Sequence, residues 1–174
     1  GLAAIERRWD AAARFFGEHF RFLRWDERGC GLTDRNVGEL SFDRWLGDLE
    51  AVVAASGVDE PFALLGISSG AAVCVAYAAR HPERVSRMLL YGGYARGWAR
   101  RGHSETERQY KAMLELMRVG WGKENPVFRQ IFTSRFIPGG TEAQIGWYNE
   151  LLRRTSSGES AASLLEARST VEVS

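Results

Sequence analysis

Apolar residues in the opening stretch "LAAIERRWDAAARFF" fall at helical spacing. Alanines, Ile5, Trp9 and Phe15 predict a helix over 2–16 with Gly17 as its stop. The period then shortens to two. "FRFLRW" (20–25) alternates bulky apolar and basic side chains, which predicts a strand running into the glycine-rich loop "DERGCGLTD". Ser41 is placed to cap a helix reaching about Ala55, with Phe42, Trp45, Leu46, Leu49, Val52 and Val53 on its apolar face and Gly57 beyond its end.

"FALLGI" (62–67) is a short unbroken apolar run, as expected of a buried parallel strand. The small-residue helix "SGAAVCVAYAAR" follows and closes at His81-Pro82, and "VSRMLLYGG" (85–93) predicts another strand. Strands alternating with helices through short connections imply an α/β class with a parallel sheet flanked by helices. After Gly93 only helices are predicted. "SETE" (104–107), "TEAQ" (141–144) and "SSGE" (156–159) each fit a capping-box pattern. Trp98, Tyr110, Trp121, Phe128, Phe132, Phe136, Trp147 and Tyr148 supply apolar bulk to this part. The expected division is therefore an α/β core over 1–97 and a helical segment over 98–174, without internal repeats.

Composition narrows the function classes. Hydrophobic residues make up 45% and charged residues 26%, with a formal net charge of +1, so bulk charge does not point to nucleic acid. The basic cluster "ARGWARRG" (Arg96, Arg100, Arg101) reads as a solvated loop face, and an interaction module built on it has only that charge behind it. Cys30 and Cys74 lack metal or disulfide spacing. Cys74 fits a small core residue, and a reducing, cytoplasmic setting is expected. No apolar run reaches the length of a membrane span, no signal peptide precedes the first helix, and the missing initiator methionine leaves room for an earlier segment.

The chemistry centres on Gly66-Ile67-Ser68-Ser69-Gly70, a G-x-S-x-G pattern where an apolar strand meets a small-residue helix. A sharp strand-to-helix turn requires small neighbours and projects the serine beyond the sheet edge, while the helix N-terminus faces any developing oxyanion. Ser68 is the candidate nucleophile, Gly66 and Gly70 shape the turn, and the Ser69 N–H is the candidate oxyanion donor. The alternative is an ordinary turn in which Ser68 merely caps the helix.

"RWDERGCGLTD", "LLGISSGAAVCVAYAARHPERV" and "RMLLYGGYARG" together resemble the α/β-hydrolase superfamily. The resemblance implies a partial α/β-hydrolase fold, its fourth to sixth strands within 1–97, and a helical lid insertion over 98–174. The lid resembles that of hydrolase domains fused to bacterial transcription regulators or nucleotide cyclases. In the loop motif, Asp26, Arg28, Gly29, Gly31 and Thr33 match the family pattern, and Asp26 and Arg28 are expected to brace the turn beside the active site.

A serine hydrolase also needs a histidine and an orienting carboxylate, which in this family follow the nucleophile in chain order. His19, His81 and His103 all lie at positions unsuited to that role, and "YGGYARG" offers no acid. The chain therefore reads as an internal fragment of a longer hydrolase, inactive alone. The expected activity is esterase-like acyl hydrolysis of a small apolar substrate, without cofactor or metal and without nucleic-acid or membrane partners. A ligand-binding sensor domain joined to a regulator or cyclase is the alternative.

Overall fold

The structure is a computed structural model that describes residue 11 and residues 13–173. It divides into two compact units, residues 36–114 with 162–174 and residues 1–35 with 115–161. The division expected at residue 97 follows the order of predicted elements along the chain, and these units are divided elsewhere.

The first unit holds the sheet. Helix α2 (Phe42–Ala55) starts where Ser41, in extended backbone, accepts the Arg44 N–H at 3.4 Å, as its sequence position predicts. Strand β1 (Phe62–Ile67) leads into helix α3 (Ser69–Arg80), which returns the chain to strand β2 (Val85–Tyr91). The strands pair in parallel from Phe62↔Val85 to Ile67↔Tyr91, with one irregularity after Phe62. Leu46 and Leu49 of α2 pack with Leu64 of β1 and with Cys74 and Tyr77 of α3. The expected buried strand is thus buried on one face only: Leu64 enters the core while Leu65 and Ile67 stay exposed. Burial pushes the Cys74 thiol up to about 11, consistent with its expected role as a small apolar filler.

Further along, Trp98 is buried, stacks on Tyr110 at 5.0 Å and donates its indole N–H to the Leu165 carbonyl at 3.1 Å. Helix α4 (Ser104–Gly120) begins at Ser104 itself, and the Glu107 N–H already bonds the His103 carbonyl. Ser104 is therefore inside the first turn, not the cap that "SETE" suggested.

In the second unit, α1 is helical over residues 13–19, and the predicted turns before it lie outside the described residues. Gly17 does not stop this helix, because with no special backbone angle it costs the helix only a fraction of its stability. Residues 21–27 are not a strand. Their alternation is that of a strand, but an extended segment becomes one only by pairing its N–H and C=O groups, and the described ladder joins β1 and β2 alone.

Helices α5 (Val127–Phe136) and α6 (Glu142–Thr155) pack through aromatic side chains: Trp121 on Phe132 at 5.4 Å, Phe132 on Phe136 at 4.8 Å, and Phe136 on Tyr148 at 6.0 Å. Thr141 and Gln144 form the predicted capping box at α6. At α7 (Gly158–Ala167) the cap is one residue later than predicted. Ser157 accepts the Ser160 N–H at 3.0 Å, and Ser156 instead accepts the Trp121 indole N–H at 3.1 Å. Arg129 is buried and donates to the carbonyls of Trp121, Lys123 and Glu124, a charge stabilised by backbone dipoles.

Two outcomes test these assignments. Leu49→Ala should cost about 2–5 kcal/mol, read by chemical denaturation, because both the apolar contacts and a residual cavity count. Glu150 is hydrogen-bonded by Arg153 and Arg154, which hold its carboxyl down at about 2. The folded state therefore holds this proton less readily than the unfolded chain. The contribution is complete above the ordinary carboxylate range and is lost as pH falls toward 2. Glu150→Gln should flatten that part of the stability–pH curve.

Candidate active site

Ser68 sits between the last residue of β1 and the first of α3, with φ 55° and ψ −120°. Among the described residues it is the one non-glycine with positive φ. Such a conformation costs of order 1–3 kcal/mol and persists only where the surroundings over-determine it.

Four contacts do so. The Ser68 N–H donates to the Tyr91 carbonyl at the end of β2, at 2.9 Å, and the Ser68 carbonyl accepts the Ala71 N–H at 3.1 Å. A Cβ on Gly66 would lie 2.6 Å from Ala71 Cα and 3.0 Å from Cys74 Sγ. A Cβ on Gly93 would lie 2.3 Å from the Ala71 methyl. The helix start is thus pressed against the strand ends from two sides, leaving the chain no room to relax.

Two other N-caps in this chain give a direct comparison. Ser41 and Thr141 have extended backbone and accept a helix N–H through their hydroxyls. Ser68 occupies the same position at α3 but makes no such side-chain bond, and it is solvent-exposed. The reading of Ser68 as an ordinary cap does not fit this geometry. Ser69 is the first residue of α3, where helix N–H groups have no intrahelical acceptor and the helix dipole is positive.

Gly70 departs from the steric account given above. Nothing lies within 4 Å of a Cβ placed there, so the spacing rule is a matter of space at Gly66 but not at Gly70. Gly93 carries the second close approach instead. Its only trace in the sequence is the "YGG" closing β2.

The loop motif is closed in part by Asp26 itself. Asp26 accepts the Leu32 N–H at 2.9 Å, and Gly31, at φ 62°, passes so close that a Cβ would strike the Asp26 carboxyl at 2.3 Å. Gly29 also has positive φ, 79°. Thr33 donates its hydroxyl to the Glu27 and Cys30 carbonyls. The Gly31 N–H reaches the Thr155 carbonyl at 2.9 Å, and Arg35, which the sequence did not single out, donates to the carbonyls of Gly31, Arg154 and Thr155. The cation satisfying the end of α6 is therefore Arg35.

The histidines have other employment. His81 donates its Nε2–H to the Glu50 carboxylate at 3.0 Å, at the far end of α3, about 18 Å of helix from Ser68. Its hydrogen bond, followed by the Arg80 charge, lowers the Glu50 carboxyl from its ordinary value. His19 bonds the Phe15 carbonyl at 2.8 Å. Exposed His103 supplies its carbonyl to the start of α4. Arg96 and Arg100, expected as a solvated face, both pair with Glu172, at 3.2 and 2.8 Å. Among the described residues no group of His, Cys, Asp and Glu is arranged to hold a metal, Cys30 and Cys74 form no disulfide, and no helix is long and apolar enough to cross a membrane.

A parallel strand–helix–strand unit with a strained serine at the head of its helix is the partial fold of an α/β-hydrolase. Residues 4–135 match the family model described as serine aminopeptidase, S33, and the chain belongs to that α/β-hydrolase family. It is 32% identical over 99 residues to a 2-hydroxymuconate semialdehyde hydrolase of Pseudomonas putida, covering 56% of this chain and 35% of that protein. It is 26% identical over 144 residues to the AB hydrolase superfamily protein YisY of Bacillus subtilis, covering 80% of this chain and 52% of that protein. In structure it is similar to an esterase from Exiguobacterium antarcticum, with a TM-score of 0.75, 21% identity, and coverage of 92% of this chain and 59% of the esterase. The chain thus spans about a fifth to a half of the length of curated relatives it matches.

The two glycines of the motif should respond differently to the same change. Gly66→Ala should cost about 1–3 kcal/mol through overpacking against Ala71. Gly70→Ala should be neutral or stabilise by up to about 1 kcal/mol. Thermal melting of the two variants distinguishes them.

Proposed function

We propose that Ser68 is the nucleophile of a serine hydrolase acting on a small ester or similarly activated acyl compound. The observation that carries this reading is the positive-φ backbone of a serine at a helix cap that does no capping. Evolving a cap does not require that strain, whereas presenting a hydroxyl at the sheet edge does. Attack of the Ser68 oxygen on the carbonyl carbon would form a C–O bond and place negative charge on the carbonyl oxygen, which the Ser69 N–H and the α3 dipole stabilise. Collapse expels the leaving group and leaves an acyl-enzyme, which water hydrolyses to release the acid.

That cycle needs a base for the serine proton and a carboxylate to orient it. The partners found for His19 and His81 tie both to other tasks. We infer that the base and its acid come from the remainder of the whole protein, and that residues 1–174 alone do not turn over substrate. On the same reading, residues 98–174 act as the lid, and their aromatic side chains chiefly form its own core. Names such as 2-hydroxymuconate semialdehyde hydrolase and esterase among the relatives support a small carbonyl compound as the substrate class. Two cysteines outside any disulfide favour a cytoplasmic setting.

The test is covalent labelling of the whole protein by a fluorophosphonate. Label should attach to Ser68 and vanish in Ser68→Ala, with turnover reduced about 10³-fold or more. A folded whole protein that takes no label would overturn the enzyme reading in favour of a ligand-binding sensor.

A further inference from the structure

The stretch that follows β2 is tied to the segment after α7 in an unusually complete way. The Gly97 N–H donates to the Val171 carbonyl at 2.7 Å, and the Val173 N–H donates to the Ala95 carbonyl at 2.9 Å. These two bonds flank an isolated antiparallel bridge between Arg96 and Glu172, the pair type in which facing side chains stand closest. Glu172 uses both carboxylate oxygens, one toward Arg96 at 3.2 Å and the other toward Arg100 at 2.8 Å. Gly97 admits no side chain, since a Cβ would lie 2.3 Å from the carbonyls of Arg168 and Ser169. Val171 is buried beneath.

The other end of the same stretch is the back wall of the serine turn. Tyr91 receives the Ser68 N–H, and Gly93 abuts the Ala71 methyl. Only Tyr94 separates Gly93 from Ala95, where the bridge begins. We propose that Glu172 is a positioning residue for Ser68: by clamping Arg96 and Arg100 it fixes the chain that holds the strained turn in place. A half-exposed ion pair alone contributes little. Here the carboxylate is shared by two cations and framed by two backbone bonds, so its loss releases a loop as well as a charge pair. This inference rests on the reading of Ser68 as nucleophile, but its geometry does not.

The experiment uses Glu172→Gln in the whole protein, with Glu115→Gln as a control that removes one charge from an exposed pair within α4. Amide hydrogen exchange should quicken at Ser68 and Ala71 in Glu172→Gln while α2 stays as protected as before. The maximal rate of fluorophosphonate labelling should fall about tenfold with the reversible binding constant unchanged. Glu115→Gln should alter neither. Arg100→Met, which leaves Arg96 in place, should give a smaller change in the same direction and covers the case in which Glu172→Gln does not fold. Wild-type exchange at Ser68 and Ala71 in both variants would overturn the clamp. If even the unaltered protein takes no label, the nucleophile reading fails, and the exchange data still decide the clamp by themselves.

Discussion

The candidate site depends on a single steric constraint, the pressing of Ala71 between Gly66 and Gly93. With a helix start held that close to two strand ends, the connection has no space for an ordinary extended cap. The chain passes instead through φ 55° at Ser68. The favourable terms that offset this strain are unremarkable singly. They are a parallel strand pair, a core of Leu46, Leu49, Leu64, Cys74 and Tyr77, and the Ser68 N–H bond to Tyr91. Together they turn a serine into a group presented to solvent without the backbone partner that Ser41 and Thr141 take.

A second theme is the use of charged side chains to finish backbone hydrogen bonding. Arg35 reaches the last carbonyls of α6, and Arg129 lies buried among the carbonyls that follow α4. Helix ends leave such acceptors unpaired, and a guanidinium with five donors in a fixed fork can satisfy several at once. Glu172 answers from the other side, its two oxygens on two arginines. In each case the charge fixes the path of a segment, and the exposed basic cluster of Arg96 and Arg100 is in part the partner of Glu172.

Much of the architecture was legible in the pattern. The strand 62–67 and the helices on either side follow from apolar period, caps and length, all local properties of sequence. The capping box at Thr141 was equally local. The misreadings have physical causes as well. "FRFLRW" has the alternation of a strand, but pairing decides whether a strand exists, and alternation says nothing of partners. The cap at α7 moved from Ser156 to Ser157 because Ser156 was taken by the Trp121 indole, a competitor 35 residues away. Gly70 matched the motif by spacing, yet the second point of crowding beside Gly66 lies at Gly93, just past the end of a different strand.

The sequence by itself determined the class of fold, the position of the strand-to-helix turn and the identity of the serine within it, because each is encoded in residues a few places apart. Tertiary structure alone decided what holds that turn and what braces other loops within each unit. Gly93 meets Ala71 only when β2 lies beside β1. Arg35 meets Thr155 across 120 residues, and Arg100 meets Glu172 across 72. Contacts of that kind depend on where the chain returns in space, and a charge or a glycine read in isolation carries no record of the partner it will meet.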